Sequence, residues 1–211
     1  MHTTVIVDAF RAFATASYVL EWEPASYVLT TKSSILVDLT REVANPFFIG
    51  KPEKEGFLSY DIPNSPTRVM ETDLRGRHVF HRTAAGAKGI LDAKGADFIF
   101  GCAFTNAKAT TRKIQQLSDT ILTIVPMGHE GETPSLEDSL CTQYVEGLLN
   151  GETLDLAPFI PALKDGPGHY FFSEDQWQYP RDDFDRCMEL DRVNFSIQAD
   201  VKNGYAILWK C

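Results

Sequence analysis

The sequence predicts an α/β fold: helices layered on both faces of a mixed, partly parallel sheet, with a C-terminal antiparallel hairpin. Three observations carry that expectation. Short apolar, β-branched runs alternate with segments of helical periodicity from Thr4 to Met127. Several of these runs stop on a polar or glycine-bearing loop, as strands do before crossing to a helix. The stretch "NFSIQADVKNGYAILWK" at 194–210 reads as two strands joined at Asn203-Gly204, a strong hairpin dipeptide.

Taken in order, "TVIV" at 4–7 is a strand followed by a helix near 11–21, and "SYVLT" at 26–30 a strand followed by a helix near 34–44. "FFI" at 47–49 is a third strand. Residues 50–73 are rich in Gly, Pro, Asn and Ser, which predicts an ordered loop or a division between two lobes of one domain spanning 1–211. "HVFHRT" at 78–83 resumes a strand, "AGAKGILDAKG" at 85–95 a short helix, "DFIFGC" at 97–102 a strand, and "NAKATTRKIQQL" at 106–117 a helix. "TILTIVPM" at 120–127 is another buried strand. Residues 151–180 read as irregular and 182–192 as a helix, and no internal repeat is evident.

Composition narrows the function. The 211 residues, 44% hydrophobic, suffice for a packed core. A net charge of −9 argues against holding nucleic acid by phosphate neutralisation. No apolar run approaches the roughly 20 residues a membrane-spanning helix needs, and no signal-peptide pattern is seen, so no membrane is expected and cytoplasm is the default location. Cys102, Cys141, Cys187 and Cys211 lie far apart without a C-x-x-C pair, which signals neither zinc nor a disulfide framework.

Two stretches carry candidate chemistry. Asp8 stands where a strand hands over to a helix, a place that suits either a helix cap or a functional carboxylate. Arg11, expected in the first helical turn, opposes the helix dipole there, a conflict that a bound oxyanion would remove. Farther on, "MGHEGETPSLEDSLC" at 127–141 gathers His129, Glu130, Glu132, Glu137 and Asp138. Ser135 and Asp138 have capping-box spacing, which explains Glu137 and Asp138 as first-turn acids but leaves Glu130 and Glu132 crowded unless a cation or solvent separates them. "IPNSP" at 62–66 is a rigid turn presenting Asn64 and Ser65.

With "DAFRA" at 8–12, "PNSP" at 63–66, "FTNAKA" at 104–109, "SLEDSLC" at 135–141 and "DFDRCMELDR" at 183–192, the chain resembles the 2-phosphosulfolactate phosphatase family, magnesium-dependent enzymes of coenzyme M biosynthesis. The five matches recur in order over nearly the whole length. The resemblance implies a layered α/β fold, Mg²⁺ as cofactor, and hydrolysis of a phosphate monoester on a small sulfonated three-carbon acid. It assigns Asp8 and one of Glu130 or Glu137 to the metal, and Asp8, Arg11 and Glu137 to catalysis. Asn64, Ser65, Arg82, Thr83, Gly86 and Asn106 join Arg11 around the anionic phosphorylated substrate. Whether Asp8 is a metal ligand or a general base stays open, as does a homo-oligomer. One segment departs from the family's "TTNGT": "RTAAGAK" at 82–88 keeps Thr83 and Gly86 but has Ala85 and Ala87 in place of polar residues. A non-catalytic or repurposed family member binding a small anionic ligand is therefore the alternative reading.

Overall fold

A computed structural model of the protein describes residues 1–41, 43–52, 58–129 and 131–211. Its elements run β1 (His2–Val7), α1 (Ala12–Glu21), β2 (Ser26–Thr30), α2 (Ser33–Thr40), β3 (Pro46–Ile49), α3 (Pro66–Met70), β4 (His78–Arg82), α4 (Ala85–Asp92), β5 (Phe98–Cys102), α5 (Ala107–Gln115), β6 (Ile121–Pro126), α6 (Leu136–Asn150), α7 (Ile160–Asp165), α8 (Asp182–Cys187), β7 (Ile197–Val201) and β8 (Tyr205–Lys210).

The sheet has the order β3-β4-β2-β8-β7-β5-β1-β6. β1 pairs in parallel with β5 and β6, while β4 pairs in parallel with β2 and β3. The hairpin comes last in the chain but sits at the centre of the sheet, where β8 runs antiparallel to β2 and β7 antiparallel to β5. It can stand there because it is amphipathic at period 2: Ile197 and Ala199, then Ala206 and Leu208, are buried. Gly204 makes the turn at φ +85°, which a side chain would strain, and its carbonyl accepts the Thr30 hydroxyl at the end of β2.

β1 is buried from Thr3 to Val7, so it reads as a continuous apolar run rather than an alternation, as strands covered on both faces do. α1 is buried along its whole length from Ala12 to Leu20, enclosed among α3, α4 and α8. α4 leaves β4 in one parallel group and lies over β1 and β5 of the other, across the hairpin. Its start is thereby brought beside the end of β1.

Four details depart from the expected elements. β6, expected to be buried, is an edge strand of the sheet with Ile121 73% exposed. The 50–73 stretch contains α3, started by Pro66 behind the capping hydroxyl of Ser65. The irregular 151–180 region contains α7, and the helix expected over 182–192 stops at Cys187. Among the described residues no helix is long and apolar enough to cross a membrane.

Candidate active site

Asp8 follows the last residue of β1 and is 7% exposed. One carboxylate oxygen, Oδ1, accepts the Ala12 N–H at 2.9 Å, so the side chain does cap α1. Oδ2 lies against Gly86 in α4, where an added Cβ would fall 2.9 Å from that oxygen and 2.7 Å from the Ala12 Cβ. Only glycine lets the starts of α1 and α4 meet over Asp8. Burial pushes the Asp8 pKa up, against the backbone N–H groups of Ala12 and Gly86 and the charge of Arg11, which favour the anion.

Arg11 immediately precedes α1 rather than occupying its first turn. Its side chain is buried, not solvated. Nη1 donates to Asp183 Oδ2 at 2.5 Å and Nη2 to the Gln178 carbonyl at 3.0 Å. The guanidinium carbon lies 5.0 Å from the Tyr179 ring centre and 5.5 Å from that of Phe171. Asp183 in turn accepts the Ser65 hydroxyl at 2.8 Å and the Thr67 N–H at 2.9 Å on its other oxygen.

The start of α6 completes the cluster. Glu137 is 7% exposed, and its Oε2 has no hydrogen-bond partner. Its pKa is raised, chiefly by burial and further by the nearby charge of Asp8. Asp138 is raised well above the usual range by burial, with Asp8 and Glu137 adding to it. The expected capping box does not form: the Ser135 hydroxyl makes no cap, and Asp138 points away from its own helix. Its two oxygens accept the Ala9 N–H at 2.7 Å and the Gly128 N–H at 2.8 Å. Asp138 thereby ties the exit of β1 to the exit of β6.

These groups face a cavity of about 600 Å³ at the carboxyl ends of β1, β4 and β6. Asp8, Arg11, Asn64, Thr83, Glu137 and Asp138 line it, with Ala84, Ala85, His129 and Ser135. Tyr170 and Tyr179 close the opposite side, beside the 166–169 turn. The Asn64 Oδ1 atom is buried without a partner.

Other expected residues lie elsewhere. Ser65 caps α3 through the Arg68 N–H and holds Asp183, away from the cavity wall. Arg82 donates to the Lys51 carbonyl and does not line the cavity. Gly86 acts as spacing beneath Asp8. Asn106 is spent within the turn after β5, accepting the Ala103 N–H and donating to the Gly101 carbonyl, so it cannot contact a ligand in the cavity. Glu130 lies outside the described residues. Of the two departures in "RTAAGAK", Ala85 lines the cavity, whereas Ala87 is fully buried in the core. Tyr170, Tyr179 and Asp183 carried no local signal of a role; only "DFDRCMELDR" had marked the last of them as part of a pattern.

The donor set fits a magnesium ion. Asp8 and Glu137 offer hard oxygens, one of them an unpartnered buried atom, and Mg²⁺ is typically held by one or two carboxylates with water and substrate phosphate filling the rest. Among the described residues no group of three or more His, Cys, Asp or Glu is arranged to hold a metal.

The sequence model of the family described as 2-phosphosulpholactate phosphatase matches residues 1–164. The chain belongs to that family. A probable 2-phosphosulfolactate phosphatase of Bacillus subtilis (strain 168) is 24% identical over 149 residues, covering 70% of this chain and 64% of the relative. One of Prochlorococcus marinus (strain MIT 9303) is 27% identical over 226 residues, covering 95% and 89%. One of Thermoplasma volcanium is 23% identical over 193 residues, covering 90% and 85%. The match thus spans less than two thirds of the Bacillus relative's length. The family match contains Asp8, Arg11, Asn64, Thr83, Gly86 and Glu137; Tyr170, Tyr179 and Asp183 lie beyond it.

Proposed function

We propose that the cavity is the active centre of a magnesium-dependent phosphatase that hydrolyses a small phosphate monoester, with 2-phosphosulfolactate as the substrate named by the family. The observation that carries this reading is the meeting, in one cavity, of a buried Glu137 carboxylate having one unpartnered oxygen with the Arg11 guanidinium and the start of α4. Carboxylates alone would repel a dianionic ester. The guanidinium and the first-turn N–H groups of α4, which has no side-chain cap, supply the opposite charge.

The chain's own residues then divide the work. Arg11, Thr83 and the backbone at Ala85 receive phosphoryl oxygens. Asn64, with its free acceptor, orients the attacking water. Glu137 takes the water's proton through its open Oε2. Mg²⁺ held by Asp8 and Glu137 would neutralise charge on the phosphoryl group and on the departing alkoxide. Water adds to phosphorus, the P–O ester bond breaks, and the departing alkoxide takes a proton from solvent while Glu137 returns its own proton to solvent, giving the alcohol and inorganic phosphate.

Mg²⁺ binding tests the site itself. Binding to the folded state stabilises it by about 2.7 kcal/mol at a hundredfold excess over Kd, so millimolar Mg²⁺ should raise the melting temperature, chelator should reverse the gain, and Asp8→Asn should abolish it. A melting curve indifferent to Mg²⁺, with and without phosphate, refutes the metal assignment. The alternative reading, a repurposed member with another small anion, rests on Ala85, which brings no polar side chain to the cavity wall. Turnover of other three-carbon phosphate esters above 2-phosphosulfolactate would favour it.

A further inference from the structure

Beyond the groups that meet the ligand, we infer that Asp183 is a positioning residue, which holds Arg11 and the Asn64-bearing turn in one fixed arrangement against the cavity. The inference rests on Arg11 receiving the substrate's oxyanion, as proposed above. Asp183 does not line the cavity and is 0% exposed, yet it joins two distant parts of the chain to its own helix, α8. Its Oδ2 accepts Arg11 Nη1, from the end of β1. Its Oδ1 accepts the Ser65 hydroxyl and the Thr67 N–H, from the start of α3, and Asn64 immediately precedes Ser65.

The guanidinium is restrained on the sides away from the ligand. Asp183 holds Nη1, the Gln178 carbonyl holds Nη2, and the rings of Tyr179 and Phe171 lie within cation–π distance. A donor fixed in this way needs no reorganisation when an oxyanion arrives. A carboxylate this close to an anion site opposes ligand binding by charge alone. Its contribution must therefore be geometric, since a planar fork has to be aimed to make two parallel bonds.

Inorganic phosphate is the probe, its dissociation constant measured by calorimetry with saturating Mg²⁺ on the intact protein, alongside a melting curve. The variants are Arg11→Lys, Asp183→Asn and the double variant. Asp183→Asn keeps an acceptor for Ser65 and Thr67 but loses the charge-assisted bond to Arg11. It should weaken phosphate binding by about tenfold in the native background and change it less than about twofold in the Arg11→Lys background. A merely structural residue would lower the melting temperature while leaving the affinity of the folded protein unchanged, or would act equally in both backgrounds; either result overturns the inference. So would tighter phosphate binding in Asp183→Asn, which would show the carboxylate only neutralising Arg11. If Asp183→Asn does not fold, Ser65→Ala loosens the same carboxylate with the ion pair kept, and must show the same dependence on Arg11. An unchanged affinity in Arg11→Lys, or no phosphate binding by the native protein, overturns both this inference and the Arg11 assignment, whereas a loss in Arg11→Lys without one in Asp183→Asn overturns the inference alone.

Discussion

Glu137 concentrates the tension between stability and function at the scale of single residues. Its folded pKa is raised, so the charged form is disfavoured by the fold; the associated stability is complete below the unfolded carboxyl pKa and is lost as pH rises through the folded value. In metal-free protein, Glu137→Gln should therefore melt higher than wild type at alkaline pH, and the difference should vanish in acid, where the native side chain is itself protonated. The same variant should lose about 100-fold or more in turnover, the scale of a missing acid–base group. Thermal melts across pH, paired with phosphate-release rates, check both. Ala85 and Ala87 in "RTAAGAK" looked equivalent in the sequence because helical facing cannot be assigned by residue type to nearby positions at a helix start. Since Ala87 is fully buried, Ala87→Thr should cost about 1–3 kcal/mol by overpacking. Ala85→Asn should be tolerated and alter ligand affinity instead. Denaturant unfolding and phosphate titration separate the two.

Among the elements, the start of α6 shows what a local motif conceals. Ser135 and Asp138 have capping-box spacing, and that reading would set the cost of Asp138→Ala at about 1 kcal/mol. The carboxylate instead serves Ala9 and Gly128, which belong to loops after two other strands. Its removal leaves two backbone N–H groups unpaired, each worth about 1–3 kcal/mol when buried. Urea unfolding at neutral pH should therefore show a loss above about 2 kcal/mol; a loss near the cap value would restore the local explanation. Asp8 was legible because a carboxylate at the end of a buried strand is marked by position alone. Asn106 falls away from the cavity for the complementary reason: an amide at a strand end looks available, and only the closed turn shows its oxygen and its nitrogen bonded within the loop.

For the whole molecule, the strands and most helices were legible from apolar periodicity, because β1 through β6 are bounded by turn residues. The strand order was not. The hairpin's central place depends on long-range pairing between β8 and β2 and between β7 and β5, for which no local pattern exists. That order also explains how the site assembles: α4 crosses the hairpin to bring Thr83, Ala85 and Gly86 against Asp8, while residues 166–183 supply Tyr170, Tyr179 and the partner of Arg11. The chemistry proposed for this assembly is hydrolysis of a phosphate ester with a magnesium ion at Asp8 and Glu137. Its most direct test is phosphate release from 2-phosphosulfolactate by the purified chain with Mg²⁺, with chelator, and in the Asp8→Asn and Glu137→Gln variants. The account predicts steady turnover with Mg²⁺ that chelator abolishes and each variant reduces by about 100-fold or more. Turnover that survives chelation, or that either variant sustains at the native rate, would contradict it.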